Sequence, residues 1–268
     1  MRPTRNREFK MIESLSKVIN KRITITDYKS SIIVPFGPVY SGKTMMLNRL
    51  LQYNHNFVVK LDRMFINSPD YQKACDDYGK SYKDGIPCAT YMPILGKLID
   101  CKGMCQYQFL DMPGEYLFDY NNPKAPSLLQ ELILFPNKKI WLILIELDWD
   151  IPYGVKIEYV KRIAYLKQHM SSNDKVIIIA NKIDEIDVLQ TNVQGTVNLR
   201  IVKKMIDNEY PGLFEIFKNR GLKLLWKPYN CILVPFSCGE FSFMSDGALN
   251  YCTGNKIYPQ LLWNAIRS

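Results

Sequence analysis

The chain has 268 residues, 47% hydrophobic and 12% aromatic, which suits one sizeable core and excludes a disordered or low-complexity protein. Its net charge is +9, and the first 22 residues hold seven basic side chains against two acidic ones. No apolar run approaches membrane-spanning length, the longest being Ile140 to Ile145, and the first ten residues lack the apolar centre of a secretion signal. Seven cysteines without paired spacing read as reduced thiols, so a cytoplasmic protein is expected.

Phe9, Ile12, Leu15, Val18 and Ile19 recur at helical spacing, which predicts a basic amphipathic leader helix over 1–22. Such a segment can meet nucleic acid, an acidic membrane or an acidic partner surface, although a solvated basic leader is the favoured reading. No RNA-binding aromatic signature or zinc-finger spacing accompanies it. The main domain is expected over 23–268. Residues 23–25 alternate with threonine and suggest an edge strand, and 32–36 read as a buried strand followed by a loop and a helix over 43–52. Residues 53–88 read as a long irregular insertion containing one short helix over 69–82, capped by Ser68 and ended by Asp84-Gly85.

Two strands over 91–99 and 104–110, joined by Asp100-Cys101-Lys102-Gly103, form a hairpin that adds one antiparallel strand to the sheet. Cys101 and Cys105 flank this turn, but no second Cys or His pair completes a metal site. Helices are then expected over 127–135 and 153–170, and buried strands over 139–147 and 176–180. A largely helical stretch within about 185–225 is broken at Pro211-Gly212, and a strand over 231–236 and a closing helix over 258–266 follow. This alternation predicts an α/β fold, a doubly wound and mostly parallel sheet with helices on both faces in three layers.

Three stretches carry chemistry. Gly37 and Gly42 bracket four residues and are followed by Lys43 and Thr44, the G-x-x-x-x-G-K-[ST] spacing of a phosphate-binding loop. Backbone N–H groups and a helix N-terminus would face the phosphates there, Lys43 would supply a point charge, and the Thr44 hydroxyl would take one position on Mg²⁺. The loop residues Val39, Tyr40 and Ser41 and the helix residue Met45 complete the expected nucleotide contacts. Asp111 and Gly114 form a D-x-x-G turn after a strand, where Asp111 can hold a Mg²⁺ water and the Gly114 N–H can meet a γ-phosphate oxygen. The third stretch is Asn181-Lys182-Ile183-Asp184. Guanine offers N1–H and its 2-amino group as adjacent donors, which one fixed carboxylate, Asp184, can accept together. Asn181 would brace the neighbouring loops, and the Lys182 stem would cover the base plane.

Together these stretches resemble the P-loop GTPases of the Ras-like and translation-factor class, over residues 32 to about 239. The resemblance implies that Thr90, one hairpin before the D-x-x-G acid, completes the Mg²⁺ shell and holds the γ-phosphate. It also implies that Ser237-Cys238-Gly239 stands where a Ser-Ala-Lys-like element covers guanine. The chain departs from the family in carrying Glu115 after the D-x-x-G glycine, where efficient members have glutamine or histidine, and bulky Val39 and Tyr40 in the loop.

Two readings follow. One is a GTP-dependent switch that binds GTP or GDP with Mg²⁺ and hydrolyses GTP slowly through Lys43, Thr90, Gly114 and Glu115, with a protein effector or activating partner. The other is a nucleotide-stabilised scaffold with little turnover. A P-loop kinase is disfavoured by the base-reading stretch at Asn181 to Asp184.

Overall fold

The computed structural model describes residues 25–53, 56–84, 90–118, 127–147, 150–186, 197–221, 226–243 and 249–268. The leader helix expected over 1–22 lies outside them. In chain order the elements are β1 (Ser31–Phe36), α1 (Lys43–Gln52), β2 (Val58–Leu61), α2 (Pro69–Asp84), β3 (Ile94–Ile99), β4 (Cys105–Asp111), α3 (Ser127–Leu134), β5 (Lys139–Glu146), α4 (Tyr153–His169), β6 (Lys175–Asn181), α5 (Leu199–Glu209), β7 (Ile232–Pro235), β8 (Gly239–Phe243), β9 (Leu249–Thr253) and α6 (Ile257–Arg267).

Seven strands form one sheet in the order β2-β3-β4-β1-β5-β6-β7. The most apolar run of the sequence is β5, buried along its whole length, with β1 and β6 parallel on either side. β3 is antiparallel to both β2 and β4, so it alone runs against the other strands. β1 and β4 share register at Ile33 and Phe109, which puts these residues on one face and Phe36 on the other. Tyr78 of α2 stacks on Phe109 and Trp263 of α6 leans on the adjacent Tyr107, whereas Tyr159 of α4 stacks on Phe36. Helices therefore cover both faces, giving the expected three layers. Because β1, β4, β5, β6 and β7 all point the same way, the turns that follow them gather at one carboxyl edge.

Two expectations need correction. Ile25 is buried but lies in irregular chain rather than an edge strand, residues 23–24 being outside the described set. The strand at that side of the sheet is instead β2, drawn from the stretch expected to be irregular: Val58–Leu61 alternates exposed and half-buried side chains as an edge strand should. The helix there was legible. Ser68 Oγ accepts from the Tyr71 N–H at 3.2 Å, the capping contact expected of Ser68. The last strands, β8 and β9, pair as a separate two-stranded hairpin that the sequence reading did not anticipate.

Candidate functional site

The site begins where β1 ends. Gly42 adopts φ 80°, which frees the chain to turn from the loop into α1, and no side chain caps that helix. The first turn therefore presents backbone N–H groups with no side-chain acceptor, the arrangement an anion meets most favourably. Tyr40, largely exposed, and Lys182 are the two non-glycine residues with positive φ among those described, at 63° and 56°. Both belong to the stretches singled out above, and strained backbone of this kind concentrates at functional sites. The Gly37 backbone approaches so closely that a Cβ there would lie 2.6 Å from Ser41 Oγ, and Ser41 Oγ itself donates to the Pro38 carbonyl at 2.9 Å. Val39, Thr44 and Met45 are half-buried around the loop.

Lys43 is 6% exposed, and its ammonium donates to the Pro38 carbonyl at 2.6 Å. Burial lowers its pKa from 10.5 to about 8, against the opposing pull of Asp111, Glu115 and Glu146. Between about pH 8 and 10.5 the folded chain thus binds fewer protons at Lys43 than the unfolded chain does. Stability of the nucleotide-free protein should rise with pH through that window, and the burial penalty is fully present below it. Thermal melts of the wild type and Lys43→Met from pH 7 to 10 check this: the wild type should gain on the variant as pH rises, and parallel curves would contradict the assignment.

Three oxygens from three elements meet beside the loop. Thr44 Oγ1, at the start of α1, lies 2.7 Å from Asp111 Oδ2; Thr90 Oγ1, ahead of β3, lies 2.8 Å from the same atom and 2.7 Å from Thr44 Oγ1. Two hydroxyl protons cannot serve three such contacts when the carboxylate is ionised. Asp111 is fully buried, its Oδ1 has no hydrogen-bond partner, and burial raises its pKa although Thr44, Thr90 and Lys43 favour the charged form. A buried carboxylate with an orphaned oxygen, converging with two hydroxyls, is a hard all-oxygen donor set, and Mg²⁺ fits it. Among the described residues no group of three His, Cys, Asp or Glu comes together, so Cys101 and Cys105 form part of no such cluster.

The D-x-x-G turn closes over the loop. A Cβ at Gly114 would fall 2.4 Å from the Val39 nitrogen, so only glycine lets this turn lie against the loop backbone. Glu115 follows in a short 3₁₀ turn, half-buried and close enough to Lys43 to stabilise its charge.

On the far side, Asn181 at the end of β6 donates to the Ser41 carbonyl at 2.9 Å and so ties the Asn181-Lys182-Ile183-Asp184 stretch to the glycine loop. The contact is tight, for a Cβ at Gly42 would come within 2.9 Å of the Asn181 amide. Lys182 pairs with Glu146 at 3.2 Å, at the end of β5. Asp184 lies half-buried in the next 3₁₀ turn, Ile183–Glu185. That turn is joined to the following segment by the Ile183 N–H to the Phe236 carbonyl, and Phe236 N–H to the Ala180 carbonyl at 2.8 Å. Ser237, buried, accepts from the Gly239 N–H at 3.1 Å, while the Cys238 carbonyl accepts from Tyr251 of β9 at 2.6 Å. The unforeseen hairpin is thus a brace for this segment, and Arg49 of α1 fastens its open end, beside Gly239, by donating to the Gly254 carbonyl at 2.7 Å. Sequence reasoning missed Glu146, Arg49 and Tyr251. The alternation of Phe241 and Phe243 around Ser242 was the one signal for the hairpin.

Strand, glycine loop, uncapped helix and neighbouring acid stand in the order the motifs require. The fold is an α/β P-loop fold. Solved structures to which the chain is similar include GTP-binding proteins. Toc33 of Arabidopsis thaliana, in complex with Mg²⁺ and GMPPNP, is 15% identical with a TM-score of 0.46 over 98% of this chain and 92% of that one. Nucleolar GTP-binding protein 1 of Plasmodium falciparum is 16% identical with a TM-score of 0.42, covering 81% and 80%. Translation elongation factor SelB of Methanococcus maripaludis, bound to GPPNHP, is 10% identical with a TM-score of 0.37 over 91% of this chain and 35% of that one. No protein-family model matches the chain, and no curated protein sequence does. No helix among the described residues is long and apolar enough to cross a membrane.

Proposed function

We propose that the chain is a guanine-nucleotide switch that binds GTP or GDP with Mg²⁺ and hydrolyses GTP slowly, acting in the cytoplasm through a protein effector. The observation that carries this reading is the convergence of Thr44, Thr90 and Asp111 at 2.7–2.8 Å with one carboxylate oxygen left unpaired. Thr44, Thr90 and Asp111 would hold the metal, which supplies positive charge to the β and γ phosphate oxygens.

The loop N–H groups from Val39 to Met45 and the Lys43 ammonium bind the phosphates, and Lys43 neutralises charge that spreads onto the γ-phosphoryl oxygens during transfer. Water attacks the γ-phosphorus in line, its bond to the bridging oxygen breaks, and GDP and phosphate leave. The Gly114 N–H meets a γ oxygen, and Thr90 reports its presence to the chain ahead of β3. Glu115 stands where the attacking water must be oriented. A carboxylate there places negative charge near a developing anion, which is the physical reason for slow turnover. Asn181, Lys182, Asp184, Ser237 and Cys238 read the base.

The scaffold reading is favoured by Tyr40, whose strained backbone and exposed side chain occupy the loop mouth. Phosphate release from GTP and Mg²⁺ separates the two. Turnover above the Lys43→Met blank, raised by Glu115→Gln on the order of tenfold, supports the switch. Tight GTP binding with no release in either protein supports the scaffold and overturns the switch.

A further inference from the structure

The added edge strand and the helix that follows it line a groove of about 630 Å³ that includes none of the residues placed in the nucleotide site. One wall is β2, the terminal strand of the sheet, and the other is the Asp76, Lys80 and Lys83 face of α2. The Asp62 N–H donates to the Leu95 carbonyl at 2.8 Å, and Lys60 faces Lys97 across the ladder. Antiparallel alternation then turns the N–H and C=O groups of Val59 and Leu61 away from β3, toward the groove side. The floor stays open at Gly79, where a Cβ would meet only Leu61 Cδ1 at 4.0 Å.

Charge gives the groove a sign. Lys60, Arg63, Lys80 and Lys83 are exposed along it, and the single acid there, Asp76, is already paired with Arg63. A lysine on an edge strand is an ordinary guard against unwanted pairing, which accounts for Lys60. It does not account for Lys80 and Lys83, which line the opposite wall on the side that Val59 and Leu61 face, whereas Lys60 points to the other side of the sheet.

We propose that this groove binds an extended acidic segment of a partner protein, added as a strand to the free edge of β2. Backbone groups of Val59 and Leu61 supply the register, and Lys80 and Lys83 meet carboxylates on the alternate residues of the segment that face α2. The apolar residues between them lie on the other side of the sheet, beside Lys60. The site does not depend on the nucleotide reading.

The test uses the full chain and a fluorescein-labelled peptide of alternating glutamate and valine, followed by anisotropy. Saturable binding is expected, weakened at least tenfold in the double variant Lys80→Glu and Lys83→Glu, and weakened similarly by N-methylating alternate peptide nitrogens. Val59→Pro removes only an outward N–H, which an edge strand tolerates, so it should melt like the wild type and lose the peptide. If that variant fails to fold, the N-methylated peptide decides. Equal affinity for the N-methylated peptide, an unaffected lysine double variant, absence of saturable binding, or displacement by oligouridylate at lower concentration would each overturn the proposal, the last in favour of nucleic acid.

Discussion

Lys43→Met is expected to abolish nucleotide binding while leaving the nucleotide-free protein at least as stable as the wild type. The side chain is 6% exposed and carries a charge that burial disfavours, from a pKa of 10.5 to about 8; at 1.36 kcal/mol per pKa unit that penalty is roughly 3 kcal/mol. Against it stands the contact to the Pro38 carbonyl at 2.6 Å, a hydrogen bond from a charged donor that contributes about 1.5–3 kcal/mol. Methionine fills the same space without either effect, so the balance in the empty protein is near zero or slightly stabilising. Binding is another matter. A buried ammonium is tolerated where an anion will meet it, and deleting one partner of such a pair costs on the order of 3–5 kcal/mol, or a factor of a hundred to several thousand in affinity. A parallel loss of melting temperature and binding would show that Lys43 serves the fold instead.

Asp184→Asn is expected to lower GTP affinity by a factor on the order of a hundred or more and to shift preference to xanthosine triphosphate. In the proposed base site the wild-type carboxylate would accept from two adjacent guanine donors, each bond to a charged acceptor contributing about 1.5–3 kcal/mol. An asparagine offers one acceptor and turns an N–H₂ toward the remaining donor. Xanthine carries a carbonyl at that position and restores the match. Asp184 occupies a 3₁₀ turn pinned by the Ile183 to Phe236 bond, so the substitution leaves the backbone in place. Competition of GTP and xanthosine triphosphate against a fluorescent nucleotide measures it. Unchanged GTP affinity would remove Asp184 from the base site.

The parts of the molecule that were legible in the sequence are those whose side chains face one environment. β5 and β6 are buried on both faces and read as unbroken apolar runs, Ile140 to Ile145 and Val176 to Ala180; the phosphate loop is fixed by glycines, Gly37 through close contact with Ser41 and Gly42 through its positive φ. β2 was missed because four residues, alternately exposed, carry too little apolar signal inside a polar stretch. The same weakness hid β8 and β9, which pair only with each other. In the site, the meeting of Thr44, Thr90 and Asp111 was foreseeable from the family resemblance, since no local pattern marks Thr90. The Lys182–Glu146 pair and the Arg49 bond to Gly254 join positions far apart in the chain, and only tertiary packing creates them.

One equilibrium measurement bears most directly on the claim that a single pocket holds a magnesium-bound phosphate chain and a guanine base. A fluorescent GDP is titrated onto the purified protein with and without Mg²⁺, then displaced with GTP or ATP. The account predicts displacement by GTP at concentrations at least a hundredfold below those needed for ATP, and affinity at least tenfold weaker after chelation of the metal. Equal competition by ATP, or binding indifferent to Mg²⁺, would contradict it.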